Sequence, residues 1–145
     1  MKDVAAISVA YSQTGKEEKS TLGLGAGQNL ATLGNAAQSK LYTEAWWNYG
    51  YVTRADTSAL NVTVAGKAAG IDLAAYYTQT DSDKNGGTDE RADMKEFVAT
   101  VGKDFGPLNA TLAYVYTKAD DQNQKTVDSK GDAYNIVQAY LTLNF

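Results

Sequence analysis

Alternation of apolar and polar residues with a period of two recurs along this chain and limits its fold more than any other feature. Successive side chains of a β-strand point to opposite faces, so such a pattern marks a strand with two unlike sides. In "VAAISVAYS", Ala5, Ile7, Val9 and Tyr11 share a row, and Ser8 and Ser12 lie opposite. In "ALNVTVAG", Leu60, Val62 and Val64 oppose Asn61 and Thr63. In "GIDLAAYYTQT", Ile71, Leu73, Ala75 and Tyr77 oppose Asp72, Ala74, Tyr76 and Thr78. In "MKEFVATVGKDF", Phe97, Ala99 and Val101 oppose Glu96, Val98, Thr100 and Gly102. In "LNATLAYVYTK", Leu108, Ala110, Leu112, Tyr114 and Tyr116 oppose Asn109, Thr111, Ala113 and Thr117. The terminal "IVQAYLTLNF" places Val137, Ala139, Leu141, Leu143 and Phe145 on one row, and Ile136, Gln138, Tyr140, Thr142 and Asn144 on the other.

The connections carry a second pattern. "AGKAAG" and "DFGP" are short, with glycine or proline to supply turn backbone angles. "DSDKNGGTDER" and "KADDQNQKTVDSKG" are long and polar, and the longest connection runs from about 14 to 56. That connection holds the glycine-rich "LGLGAG", a predicted short helix near "QNLATLGNAAQSK", and the aromatic cluster "LYTEAWWNYGYV". Long and short connections therefore alternate, which in an antiparallel meander gathers the short turns at one end and the long loops at the other. Transmembrane β-barrels have this asymmetry, with strands of ~9–11 residues that alternate between lipid and lumen. On this reading the apolar rows face lipid and the polar rows a watery lumen. Phe105 and Phe145 fall at the short-turn interface, and Tyr11, Tyr116 and the deeper Tyr77 at the long-loop interface, where amphipathic rings settle. A closed barrel pairs its last strand with its first, so a full strand at the chain end is expected.

Composition narrows the function. The net charge of −4 argues against binding nucleic-acid phosphates. The absence of cysteine excludes disulfides and thiolate metal sites, and the absence of histidine excludes the Ser-His triads and most zinc sites. "MKDVAAISVA" fits a secretory signal poorly, because Asp3 and Ser8 interrupt its short apolar run. "DSDKNGGTDE" begins like a calcium loop, but the twelfth position, where an EF-hand needs glutamate, is Ala92; a solvated loop is the better reading. "GLGAG" lacks the spacing of a dinucleotide cradle, since Gln28 stands where the third glycine belongs. Asp72 and Glu96 on the polar rows fit either a carboxylate pair for acid–base work or a lumen wall whose acidic groups favour cations; we prefer the second. "WWNYGY" is able to stack sugars or lipids, but the preferred role is to pack the long loop on a barrel rim or fold it inward.

The terminal "VQAYLTLNF" resembles the aromatic-ended assembly signal of outer-membrane proteins, carried here by Val137, Ala139, Leu141, Leu143 and Phe145. "FVATVGKDFGPLNATLAYVYTKADDQN" with "DAYNIVQAYLTLNF" resembles the last hairpin and closing strand of the Campylobacter-type major outer membrane porin family. "ADTSALNVTVAGKAAGIDLAAYYTQTDSD" resembles the preceding hairpin, and "AISVAYSQTGKEEKSTLGLGAGQNLATLG" the strand and outer loop before it. The resemblance rests on order, spacing and scattered residues, and it is to the last third of such a protein, a C-terminal fragment of a larger barrel. It implies a bacterial outer-membrane channel for small hydrophilic solutes, commonly a trimer.

These observations together predict an all-β fold, an antiparallel up-and-down meander of a transmembrane outer-membrane β-barrel, in one unit spanning 1–145. The expected function is passive diffusion without catalytic residues, cofactor or metal. The expected partners are outer-membrane lipid, small hydrophilic solutes, and the remainder of the barrel or further copies of the chain. Asp72, Tyr76, Glu96, Thr100, Thr111, Gln138 and Tyr140 are the pore-lining candidates. Six strands leave two edges open, and unpaired backbone in lipid costs several kcal/mol per group, so closure needs more strands. Leu41–Thr53 is one place they could come from. The alternatives are a small eight-stranded structural or adhesive barrel, and a soluble β-rich binding module or enzyme.

Overall fold

Six strands form at the six alternating segments: β1 (Ala5–Gln13), β2 (Thr57–Ala68), β3 (Ile71–Ser82), β4 (Met94–Asp104), β5 (Leu108–Ala119) and β6 (Tyr134–Leu143). The structure, a computed structural model, describes residues 5–14, 43, 45–53, 56–82, 93–126 and 129–145. The strands make one antiparallel sheet in sequence order, β1 to β6. Among the described residues β1 and β6 are its two edges, so the sheet is open rather than closed on itself. The predicted helix near 28–40, the glycine-rich 23–27 and most of the calcium-like loop, 83–92, lie outside the described residues. The described residues of Leu41–Thr53 add no strand: they form turns, bends and a 3₁₀ turn, Tyr49–Thr53.

Both short connections are tight turns with a stated cause. Ala68 pairs with Ile71, leaving Ala69 and Gly70 as a two-residue loop. Both have positive φ, 50° and 77°, the backbone of a type I′ turn, whose twist matches that of the flanking strands. Gly106 takes φ 85° ahead of Pro107, and its N–H donates to Asp104 Oδ1 at 2.8 Å. β6 is assigned only to Leu143, but Asn144 N–H donates to Pro107 O at 2.8 Å and carries the pairing one residue further.

Register aligns like with like. Ile7, Val64, Ala75, Ala99, Tyr114 and Val137 form one cross-strand line on the outer face. Asn61, Thr78, Glu96, Thr117 and Tyr134 form one on the inner face. A slip of one residue would exchange the two sets on every strand, so the pattern pins the pairing.

The outer face is apolar and uncovered. Ile7 is 73% exposed, Val137 68% and Leu141 72%. Burying such a side chain is worth about 1.5–3 kcal/mol, which this face leaves unrealised in water. On β5 the apolar row runs from Leu108 to Tyr116, about 26 Å along the strand at ~3.3 Å per residue. At the ~40° tilt typical of outer-membrane barrels that length would stand about 20 Å tall, against their ~25 Å apolar band. The tyrosine hydroxyls on this face lean toward the long-loop end: Tyr11 to Gln13 (3.5 Å), Tyr77 to Gln79 (2.9 Å) and Tyr114 to Asn135 (2.6 Å).

The core lies on the other face. Ala45, Tyr51 and Val52 of the long connection pack with Ala59, Met94 and Ala119. Polar side chains buried there are paired, as their desolvation requires. Thr57 Oγ1 donates to Ser82 Oγ at 2.8 Å and Asn61 Nδ2 to Thr78 Oγ1 at 2.8 Å. This corrects the expectation of a wholly watery inner row. Val98, Ala113 and Val115 on this face are also buried, and at the long-loop end the connection folds back over Met94.

Candidate functional site

The inner face is organised by one inward-folded segment, residues 45–53, and by one carboxylate beneath it. Glu96 projects from β4 on the inner row and is 1% exposed. Its Oε1 accepts the backbone N–H of Trp46 (2.6 Å) and of Trp47 (2.9 Å), and its Oε2 accepts that of Asn48 (2.9 Å). Three successive N–H groups on one carboxylate are charge-assisted bonds, which replace the water that a buried anion loses. Asn48 extends the anchorage, with Nδ2 donating to Thr117 Oγ1 at 2.7 Å and Oδ1 accepting from Gln122 Nε2 at 3.2 Å. Ser12 and Thr43 hydroxyls bond at 2.7 Å, and Tyr51 OH donates to Asp121. Strands β4 and β5 and the β5–β6 loop thus hold the segment, and β1 holds Thr43 just before it. Of the roles weighed for "WWNYGY", folding inward is the one the structure displays.

All seven pore-lining candidates lie on this inner face, but they do not share one environment. Glu96 lies under the segment and lines no open space. Asp72, Tyr76, Thr100 and Thr111 line a recess of about 470 Å³ toward the short-turn end. Gln138 and Tyr140 line a second recess, of about 430 Å³, with Trp47 and Tyr49. Trp46 borders both. Its ring lies 5.6 Å from that of Tyr76 and 6.4 Å from that of Tyr140, and its Nε1 donates to Gln138 Oε1 at 3.2 Å. The indole is thus a partition between two hollows.

Charge in the first recess is locally balanced. Lys67 Nζ is 3.1 Å from Asp72 Oδ1, and both side chains are about half exposed (51% and 53%), so the pair is screened and weak. Asp72 pairs in register with Gly102, six residues along β4 from Glu96. That is about 20 Å, whereas carboxylate pairs that cleave glycosides stand within ~9.5 Å. The acid–base pairing of Asp72 with Glu96 is therefore ruled out. Among the described residues no cluster of acidic side chains could hold a metal ion.

The five residues of the terminal apolar row lie on the outer face. Val137, Leu141 and Leu143 are exposed on it and Phe145 is fully open, and no described contact distinguishes a recognition role from strand pairing. At the long-loop end, residues 120–132 are tied by Asp120–Lys130 and Lys125–Asp132 ion pairs, each 2.9 Å. The hydrogen bond and charge of Lys125 hold the Asp132 carboxyl below its ordinary range, and Asp132 raises Lys125 in turn. Sequence reasoning missed Asn48, Thr117 and Trp46 as individual parts of the site. The apolar Met94, Val98 and Val115 inside an otherwise polar row were the signal that something covers it.

Comparison with protein families, with curated proteins and with solved structures yields no match.

Proposed function

We infer that this chain is part of the wall of an outer-membrane β-barrel through which small hydrophilic solutes or ions diffuse passively. The supporting observation is the two-sidedness of the sheet: a continuous, exposed apolar face about as tall as a membrane's apolar band, and a polar inner face with hollows. In water such a face far exceeds the apolar patches that soluble monomers expose. In lipid it is the matched surface, and the tyrosine hydroxyls leaning to one end fall at the headgroup level. The free edges of β1 and β6 are met by further barrel strands, from the remainder of a larger barrel or from further copies of the chain. β1 and β6 run in opposite senses, so a β6 edge accepts a β1 edge as an antiparallel neighbour. Transport needs no reacting group. A polar lumen lowers the cost of passing a low-dielectric layer, and width and charge at the inner segment select the solute.

Orientation and location are testable together. The chain has no cysteine, so one cysteine introduced at Gln124 or at Lys67 is the sole site for a membrane-impermeant thiol reagent. The proposal expects the protein in the detergent-extracted outer-membrane fraction, with labelling of intact cells at 124 and not at 67. Recovery in the soluble fraction overturns it; labelling at 67 alone reverses the topology. Planar-bilayer conductance of the assembled protein tests the channel itself.

A further inference from the structure

We propose that Trp47, Tyr49, Gln138 and Tyr140, set around Trp46, form a binding site for the ring of a neutral sugar. The recess they line measures about 430 Å³, within the range of ~300–1,000 Å³ typical of small-ligand sites. It is aromatic, yet it lies on the face opposite the apolar band, so lipid does not explain it. Trp47 is 41% exposed, Tyr49 44% and Tyr140 43%. Three large rings left half open on a hydrated face are flat apolar platforms with polar edges, as a pyranose requires: its C–H face stacks and its hydroxyls take hydrogen bonds.

The polar groups present fit the same ligand. Gln138 Oε1 is occupied twice, by Trp46 Nε1 at 3.2 Å and by Tyr140 OH at 2.7 Å. That fixes the amide with its NH₂ turned away from both, and the NH₂ has no partner among the described residues. Trp47 Nε1 and Tyr49 OH likewise have none there. Among the described residues no charged side chain lines the recess, which disfavours a phosphorylated sugar or a nucleotide and favours a neutral polyhydroxylated ring. All the groups come from this chain, so the inference stands apart from whether the sheet lines a pore.

The test uses the full chain refolded in a detergent without a sugar headgroup. Trp46 and Trp47 are its two tryptophans, so tryptophan fluorescence reports this site and, through Trp46, the adjoining recess. Trp47 does not line the adjoining recess, so the response of Trp47→Ala assigns the signal to this site, and saturation-transfer NMR supplies a second readout. Maltotriose, the acyclic polyol sorbitol and the planar adenosine are titrated in parallel. A saturable response to maltotriose, with none to sorbitol, is expected. Trp47→Ala and Gln138→Ala, with strand circular dichroism unchanged, are each expected to weaken it roughly two- to tenfold. The assignment is overturned by no response to maltotriose, by an equal response to sorbitol, by tighter binding of adenosine, or by unchanged affinity in both variants.

Discussion

Removing the Glu96 carboxylate should release the inner segment while leaving the sheet folded. Glu96→Ala strips the acceptors from three backbone N–H groups at 46, 47 and 48. Hydrogen bonds to a charged group contribute about 1.5–3 kcal/mol each, so the gross loss is about 4.5–9 kcal/mol if the segment stays in place. It need not stay. Undocking returns the three N–H groups to water and gives up the contacts of Ala45, Tyr51 and Val52 with Ala59, Met94 and Ala119. At about 1.5–3 kcal/mol for each large apolar side chain, that alternative costs roughly 3–6 kcal/mol. The second range lies lower, so the segment is expected to open locally while the sheet keeps its pairing. Glu96→Gln is nearly as damaging despite its shape. Its amide keeps one acceptor oxygen and turns two N–H donors toward the backbone donor of Asn48 or of Trp46 and Trp47.

Both tryptophans report the outcome. Opening should shift their emission to the red, raise acrylamide quenching toward that of free tryptophan and flatten the near-ultraviolet circular dichroism. The far-ultraviolet strand signal should persist. Unchanged quenching in Glu96→Ala would refute the carboxylate's role as the segment's anchor. Loss of the strand signal would refute the claim that the sheet stands without the segment.

Four further outcomes are expected. Leu112→Arg, on the exposed apolar row, should cost about 2–4 kcal/mol in a bilayer, whereas Thr111→Arg on the inner row should assemble normally and alter ion selectivity; equal damage in refolding yield would show the facing to be wrong. Gly131→Ala would place a Cβ 2.0 Å from the carbonyl oxygens of Ala119 and Gln122, backbone atoms that cannot yield, so the 120–132 loop should shift, at about 1–3 kcal/mol, and limited proteolysis there should accelerate. Ala69→Asn, at φ 50° in the type I′ turn, should stabilise by up to about 1 kcal/mol, because asparagine tolerates that region better than alanine, read as a higher unfolding midpoint. Lys125 holds the Asp132 carboxyl below the ordinary carboxylate range, so their tie is complete at neutral pH and is lost as pH falls through that lowered value; loop proteolysis by an acid-active protease should be flat down to about pH 5 and rise only in stronger acid.

Strands, order and facing were legible because each is encoded locally. A period of two over nine or more residues specifies a strand and its two faces, and short turns between such strands leave little choice but neighbouring antiparallel pairs. The role of Glu96 was not legible in the same way. A carboxylate on a polar row looks identical whether it faces water or caps a loop, and its three partners lie 48 to 50 residues earlier. The aromatic cluster announced itself by composition, but neither its target on the sheet nor the partition made by Trp46 follows from periodicity. The tight fit of Gly131 is equally silent, since it depends on carbonyls of a distant turn.

The inner row also shows why one face serves two purposes. On the inner rows of β3, β4 and β5 side-chain burial is greater toward the long-loop end: Met94, Glu96, Val98, Ala113, Val115 and Thr117 are covered, while Thr100 and Thr111 are partly exposed and Asp72 is exposed, with Gly102 buried beside it. The segment 45–53 therefore fills one mouth of the face and leaves the other hollow, with Trp46 at the boundary. A variant that frees the segment and one that adds a charge at Thr111 consequently act on opposite ends of the same path. If solutes travel along this face, Glu96→Ala should change the width of the path and Thr111→Arg its charge preference. In the doubly substituted protein the two effects should couple only through Trp46, which bonds Glu96 and borders the recess that Thr111 lines. Conductance and cation-to-anion selectivity, measured on the single and double variants of the assembled barrel, separate them. Selectivity that moves with Glu96→Ala alone, at unchanged conductance, would contradict this division of the face.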